Sequence, residues 1–168
     1  GPQRVTQNGI FLLAPTVFAF GTKEQQDRIL PRMAAAEDLW CQGWSEPDAG
    51  SDLAGIKARS IRVDGGWRLD GQKTCTTRGA FCTHLFGLFR TDPDSTRHKG
   101  LTYLLVPLDT PGVTVRGFGR LDGDEGRAMD IDLGAELGGE IDRGAENACD
   151  GDDLDIDRGA DDDREIDG

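Results

Sequence analysis

The chain has 168 residues, enough for one domain of ordinary size with a real core. Its net charge of −12 is unevenly spread: residues 128–168 carry 16 acids against three arginines, residues 1–127 balance to +1, and all eleven aromatics precede residue 128. An evenly acidic globule is excluded, and a nucleic-acid binder is disfavoured because no basic patch dominates.

Residues 9–39 read as helical. Ile10, Leu13, Val17 and Phe20 recur at spacings of three and four, with Pro15 breaking the pattern. Thr22-Lys23-Glu24-Gln25 fits a capping box. Ile29, Leu30 and Met33 form an apolar face, and Pro31 suits the first turn of another short helix. Helices this short are marginal alone and must pack on something.

From residue 40 the period becomes two. Ile61 and Val63, the turn Asp64-Gly65-Gly66, then Trp67 and Leu69 predict a hairpin whose second strand ends at Gly71. His84–Phe89 and Leu101–Val106 are more continuous apolar strands. Asp109-Thr110-Pro111-Gly112 is a turn, and Val113 and Val115 open the next strand. Met129, Ile131 and Leu133 predict a last short one. Helices first and strands after them predict an α+β fold: short N-terminal helices followed by a small β-barrel. The predicted division is a helical segment over residues 1–39, a barrel over 40–134, and an acidic low-complexity tail over 135–168. The tail has too little apolar surface to offset chain entropy and is expected to be disordered. Within it Glu140–Glu146 resembles Asp155–Asp161. Asp153, Asp155 and Asp157 alternate as in a calcium loop, but Arg158 and Arg164 stand where that loop needs glycine and glutamate, so no metal is expected.

No apolar run approaches the roughly 20 residues of a spanning helix. No signal-peptide pattern opens the chain. Cys41, Cys75, Cys82 and Cys149 form no CxxC pair and are expected to be reduced thiols in a cytoplasmic protein. His84 and His98 are each isolated, and His84, within an apolar strand, reads as a core or rim residue. Arg90, Arg97, His98 and Lys99 make a locally basic loop, a solvated turn with a phosphate contact as the sharper alternative.

The most informative stretch is Trp44-Ser45-Glu46-Pro47-Asp48-Ala49-Gly50-Ser51-Asp52. A strand is expected to end at Glu46-Pro47. Gly50 permits close backbone approach, and Ser51 offers a hydroxyl and an N–H to an anion such as a pyrophosphate. An ordinary strand-to-strand turn has the same composition.

This segment resembles the flavin-binding signature of the acyl-CoA dehydrogenases. Asp70-Gly71-Gln72-Lys73-Thr74-Cys75-Thr76-Thr77 resembles the family's second signature. Leu104–Pro107 with Thr110–Val113, and Gly21–Gln26 with Leu30-Pro31, are similar to two further family segments, in the same order over residues 9–126. The resemblance implies a flavoenzyme fragment: the end of an N-terminal helical domain and the middle β-barrel that holds FAD and acyl-CoA. It also implies α,β-dehydrogenation of an acyl-CoA thioester to the trans-2-enoyl-CoA. An electron-transfer flavoprotein would be the acceptor, and the assembly a homo- or hetero-oligomer.

Carried over residue by residue, Trp44 would approach the flavin ring through its backbone and Ser45 would contact it. Gly50 and Ser51 would lie along the pyrophosphate, with Ser51 also near the pantetheine arm of the substrate. Thr76 would give a backbone contact, and the Thr77 hydroxyl would lie near the ring's reacting nitrogen. Cys75 stands where the family usually has a tryptophan that packs on the flavin, which removes a large apolar contact. The family's glutamate base lies on a C-terminal helical bundle for which this sequence shows no counterpart, and Glu46 is not that base. The alternative reading is therefore an inactive remnant that keeps the barrel as a binding or subunit-interaction module.

Overall fold

The structure, a computed structural model, describes residues 7–95, 97, 99–117 and 128–138. Expectations for His98, Cys149 and the tail beyond Gly138 lie outside the described residues. A short π-helical turn (Gly9–Leu13) runs straight into α1 (Ala14–Phe20), and α2 (Lys23–Ala34) follows. Pro15 does not interrupt the first unit: it falls at the start of α1, where the wider π-helical turn passes into the α-helix. Pro31 lies inside α2 rather than starting a new helix. The capping box of α2 is complete. The Gln25 amide donates to Thr22 Oγ1 at 3.2 Å, and the Thr22 amide donates to Gln25 Oε1 at 2.8 Å.

Seven strands follow: β1 (Trp40–Gly43), β2 (Arg59–Val63), β3 (Gly66–Thr77), β4 (His84–Arg90), β5 (Leu101–Pro107), β6 (Val113–Gly117) and β7 (Ala128–Gly138). They form one curled mixed sheet in the order β1-β4-β2-β3-β7-β6, with β5 antiparallel to β4. β1 lies parallel to β4, Trp40 opposite His84. This is the α+β architecture expected, helices first and a barrel-like sheet after them.

Two cores explain why β4 and β5 are apolar almost throughout. Leu85 and Phe89 of β4 and Leu104 and Val106 of β5 join Cys41, Leu69, Ile131 and Leu133 inside the curl. Phe86 and Leu105, of opposite parity, pack outward with Leu13, Val17, Ile29, Met33 and Trp40 under the helices. Each strand is therefore buried on both faces, and its sequence loses the polar alternation of a half-exposed strand. Only Leu13 and Val17 of the expected N-terminal stripe are buried. Ile10 and Phe20 are exposed at 42% and 58%.

Three strand expectations need correction. The β2–β3 hairpin has a two-residue loop, Asp64-Gly65, with Val63 paired to Gly66. That register sets Ser60 opposite the buried Leu69 and turns Ile61 outward, because strand parity leaves no choice once Leu69 is in the core. β3 does not end at Gly71 but runs to Thr77. Glycine is needed there because φ is +139° and a Cβ would sit 2.7 Å from Ala58 Cα. β7 is long rather than short, continuing past Gly134 to Gly138 with Ala135 fully buried.

Candidate functional site

β1 ends at Gly43, earlier than the Glu46-Pro47 expected from the sequence. The chain then makes a tight turn in which Glu46 and Ala49 exchange backbone bonds of 2.8 and 3.1 Å. β3 carries the other half of the site. Between Lys73 and Thr76 its register against β7 shifts, and Cys75 adopts φ +55°. Such a bulge re-aims side chains at the price of local ladder bonds. The two segments meet directly: the Thr74 amide donates to the Ser45 carbonyl at 2.9 Å.

A cavity of about 290 Å³ opens where they meet. Of the residues singled out from sequence, Trp44, Ser45, Cys75 and Thr77 line it. Thr76, between two of them, points the other way and is 1% exposed, and its Oγ1 has no partner among the described residues. Gly50 and Ser51 are exposed on the turn beyond Glu46 and outside the cavity. No atom lies within 4 Å of where a Cβ on Gly50 would stand, so the backbone there is open to approach.

Sequence reasoning missed Trp40 and Gln42, which also line the cavity, along with Asn8 from the helical segment. Strand parity could have found two of them, since Trp40, Gln42 and Trp44 alternate with Cys41 and Gly43. It also missed Lys73. Leu69, Gly71 and Lys73 share a parity, so a lysine there must enter the core and needs an acid to accompany it. That acid is Glu46. Lys73 is fully buried, and its ammonium lies 2.8 Å from Glu46 Oε1. Burial pushes the Lys73 pKa below its ordinary value while the Glu46 contact opposes the shift.

None of the described residues lining the cavity is a carboxylate. The hydroxyl of Thr74, which lines the cavity, donates to Asp130 of β7 at 2.5 Å. Arg90 is not free to hold a phosphate. Its guanidinium donates to the carbonyls of Ala54 (3.0 Å) and Arg97 (3.1 Å), with longer bonds to Ile56 and Lys99. It therefore pins two loops together.

The cavity's size is near the lower end for small-molecule sites, roughly 300–1,000 Å³. Two indoles and the hydroxyls of Ser45, Thr74 and Thr77 suit a flat ring edged with heteroatoms. They cover only part of a molecule as long as a dinucleotide. A model of the acyl-CoA dehydrogenase middle domain matches residues 41–130. The chain belongs to the acyl-CoA dehydrogenase family.

Among family members, acyl-CoA dehydrogenase IpdE1 of Mycobacterium tuberculosis is 49% identical over 123 residues, covering 73% of this chain and 32% of the relative. FadE34 of the same organism is 47% identical, over 66% of this chain and 16% of the relative. The chain thus spans a third or less of these relatives. A glutaryl-CoA dehydrogenase from Mycobacterium smegmatis, solved in complex with FADH2, superposes with a TM-score of 0.65 at 32% identity. That match covers 76% of this chain and 32% of the other. The ChsE4–ChsE5 complex from Mycobacterium tuberculosis matches with a TM-score of 0.73 at 28% identity, over 83% and 37%. No helix among the described residues is long and apolar enough to cross a membrane.

Proposed function

We propose that this chain is the barrel portion of an FAD-dependent acyl-CoA dehydrogenase, acting on an acyl-CoA thioester and passing electrons to an electron-transfer flavoprotein. The observation that carries this reading is the convergence of Ser45 and Thr77, from two separate segments, on one cavity held together by the Thr74–Ser45 backbone bond. FAD, when bound, supplies hydride-accepting chemistry.

The chain's own residues bind and orient. Trp44 would approach the ring through its backbone, and the Ser45 and Thr77 hydroxyls would donate to its polar edge, where preorganised donors stabilise developing negative charge. Thr76 contributes through its backbone. Gly50 and Ser51, on the open turn, would hold the pyrophosphate, and Ser51 would also meet the pantetheine arm. Cys75 occupies the position of the family's indole and leaves that wall incomplete. The division into a helical segment over residues 1–39 and a barrel segment from residue 40 is part of this reading, as are oligomeric assembly and a cytoplasmic location.

A specific observation also favours a second reading. With cysteine at position 75 and no carboxylate among the described residues of the cavity, those residues offer a binding face without a base. In that case it acts as a binding or subunit-interaction module. Titration of FAD into the purified chain, followed by anaerobic addition of an acyl-CoA, tests both. Flavin binding supports the cofactor assignment and its absence counts against it, while bleaching of the bound flavin would rule out the inactive module.

A further inference from the structure

Glu46 and Lys73 stand 27 residues apart in sequence and meet out of contact with water. The Lys73 ammonium donates to Glu46 Oε1 at 2.8 Å and to the Leu88 carbonyl at 2.7 Å, and lies 5.0 Å from the centroid of the Phe89 ring. Glu46 also accepts the Lys57 amide on Oε2 at 2.6 Å and the Ala58 amide on Oε1 at 3.0 Å. One carboxylate thus joins its own turn, the run into β2, and β3, and through Lys73 it reaches β4.

A pair so fully withdrawn from water is a weak source of stability, because desolvation offsets much of the attraction and apolar replacements often hold a fold as well. Its placement points to another role. Ser45 directly precedes Glu46, and Thr74 directly follows Lys73. The ion pair and the 2.9 Å Thr74–Ser45 backbone bond therefore close a small ring. The side chains that flank this ring and line the cavity are those of Trp44 and Ser45 on one side and Thr74, Cys75 and Thr77 on the other. β3 needs such a hold, since its ladder with β7 is interrupted between Lys73 and Thr76.

We infer that Glu46 and Lys73 are the positioning pair of the cavity, fixing the Ser45 and Thr77 hydroxyls relative to one another across the bulge. The consequence for cofactor binding rests on the flavin reading above; the local positioning does not.

The test uses the 168-residue chain carrying Lys73→Met, Glu46→Gln, both together, or Leu69→Ala, which opens the barrel core without touching the pair. Two quantities are read: FAD affinity by flavin fluorescence, and amide exchange at Thr74 relative to the β4–β5 ladder amides. The double variant should melt close to the parent, since no buried charge is left unpaired. It should nevertheless keep relative Thr74 exchange at least about tenfold faster, and FAD affinity about tenfold weaker, than the parent. Leu69→Ala should melt lower with relative Thr74 exchange unchanged. The inference is overturned if Thr74 protection merely follows melting temperature across the variants, or if the double variant recovers both readouts. If the parent binds no FAD, the cofactor reading fails while Thr74 exchange still decides the positioning role.

Discussion

The His84 ring stacks on Trp40 with centroids 4.6 Å apart, and its Nδ1 lies 2.7 Å from Thr83 Oγ1. Burial lowers its pKa below the ordinary 6.5, outweighing the upward pull of the Asp38 and Asp109 carboxylates against which Arg32 also acts. The unfolded chain therefore protonates first as pH falls. The stability contributed by neutral His84 is complete above about pH 6.5 and is lost as pH drops through the lowered folded value. Denaturant midpoints should fall between pH 7.5 and 5.5 in the parent. His84→Phe, which keeps the stack, should flatten that fall; an unchanged slope would mean that other groups govern it. Asp38 acts lower on the scale, because the Arg32 guanidinium holds its carboxyl below the ordinary 3.8. The sequence marked His84 as a core or rim residue on its apolar strand alone, and the half-buried stack agrees. What it could not mark was Arg90, whose carbonyl partners come from loops brought together only by folding.

At the scale of elements, α2 begins where its capping box says it should, and Thr22→Ala should cost about 1 kcal/mol by leaving early amides without a partner. Urea denaturation would register that loss, and no change would show that the helix end frays freely. Gly71 carries a larger effect. A Cβ there meets Ala58 at 2.7 Å with φ at +139°, so Gly71→Ala should destabilise by about 2–4 kcal/mol, through backbone strain and overpacking together. A loss below about 1 kcal/mol would mean that β2 and β3 slide apart easily. The same glycine explains a limit of sequence reading: in the hairpin pattern it looked like punctuation, whereas it serves a close approach inside a strand that runs on to Thr77. Strand existence was legible in β2, β4, β5 and β6 because apolar periodicity is local. Which face of β2 is inward was not, since a two-residue loop and the burial of Leu69 on the partner strand decide it. The Glu46–Lys73 pair escaped for the same reason. Each residue is explicable only by the other, and nothing local links them.

For the whole molecule, the family signatures brought the candidate site within reach of sequence, while the cavity itself depends on three separate parts of the chain. β1 and its following turn supply one wall, the β3 bulge a second, and Asn8 of the helical segment a third. About 290 Å³ can house a ring fragment but not most of a dinucleotide, and a ligand normally needs the larger part of its surface covered to bind well. Cys75 is exposed, and in the proposed reading its thiol stands where the family has the large apolar face of an indole. The 168-residue chain is therefore expected to bind FAD weakly and to oxidise no acyl-CoA at a measurable rate. Cys75→Trp should strengthen flavin binding by about tenfold, on the order of 1.4 kcal/mol, if the new ring stacks on the cofactor. It should not bring turnover, because proton abstraction needs a carboxylate held within hydrogen-bond reach, and no described residue of the cavity offers one. Titration of FAD against both proteins, followed by addition of acyl-CoA without oxygen, measures each part. Submicromolar, stoichiometric binding by the unmodified chain would defeat the incomplete-wall account, and bleaching of its flavin would reveal a base supplied from elsewhere in the chain.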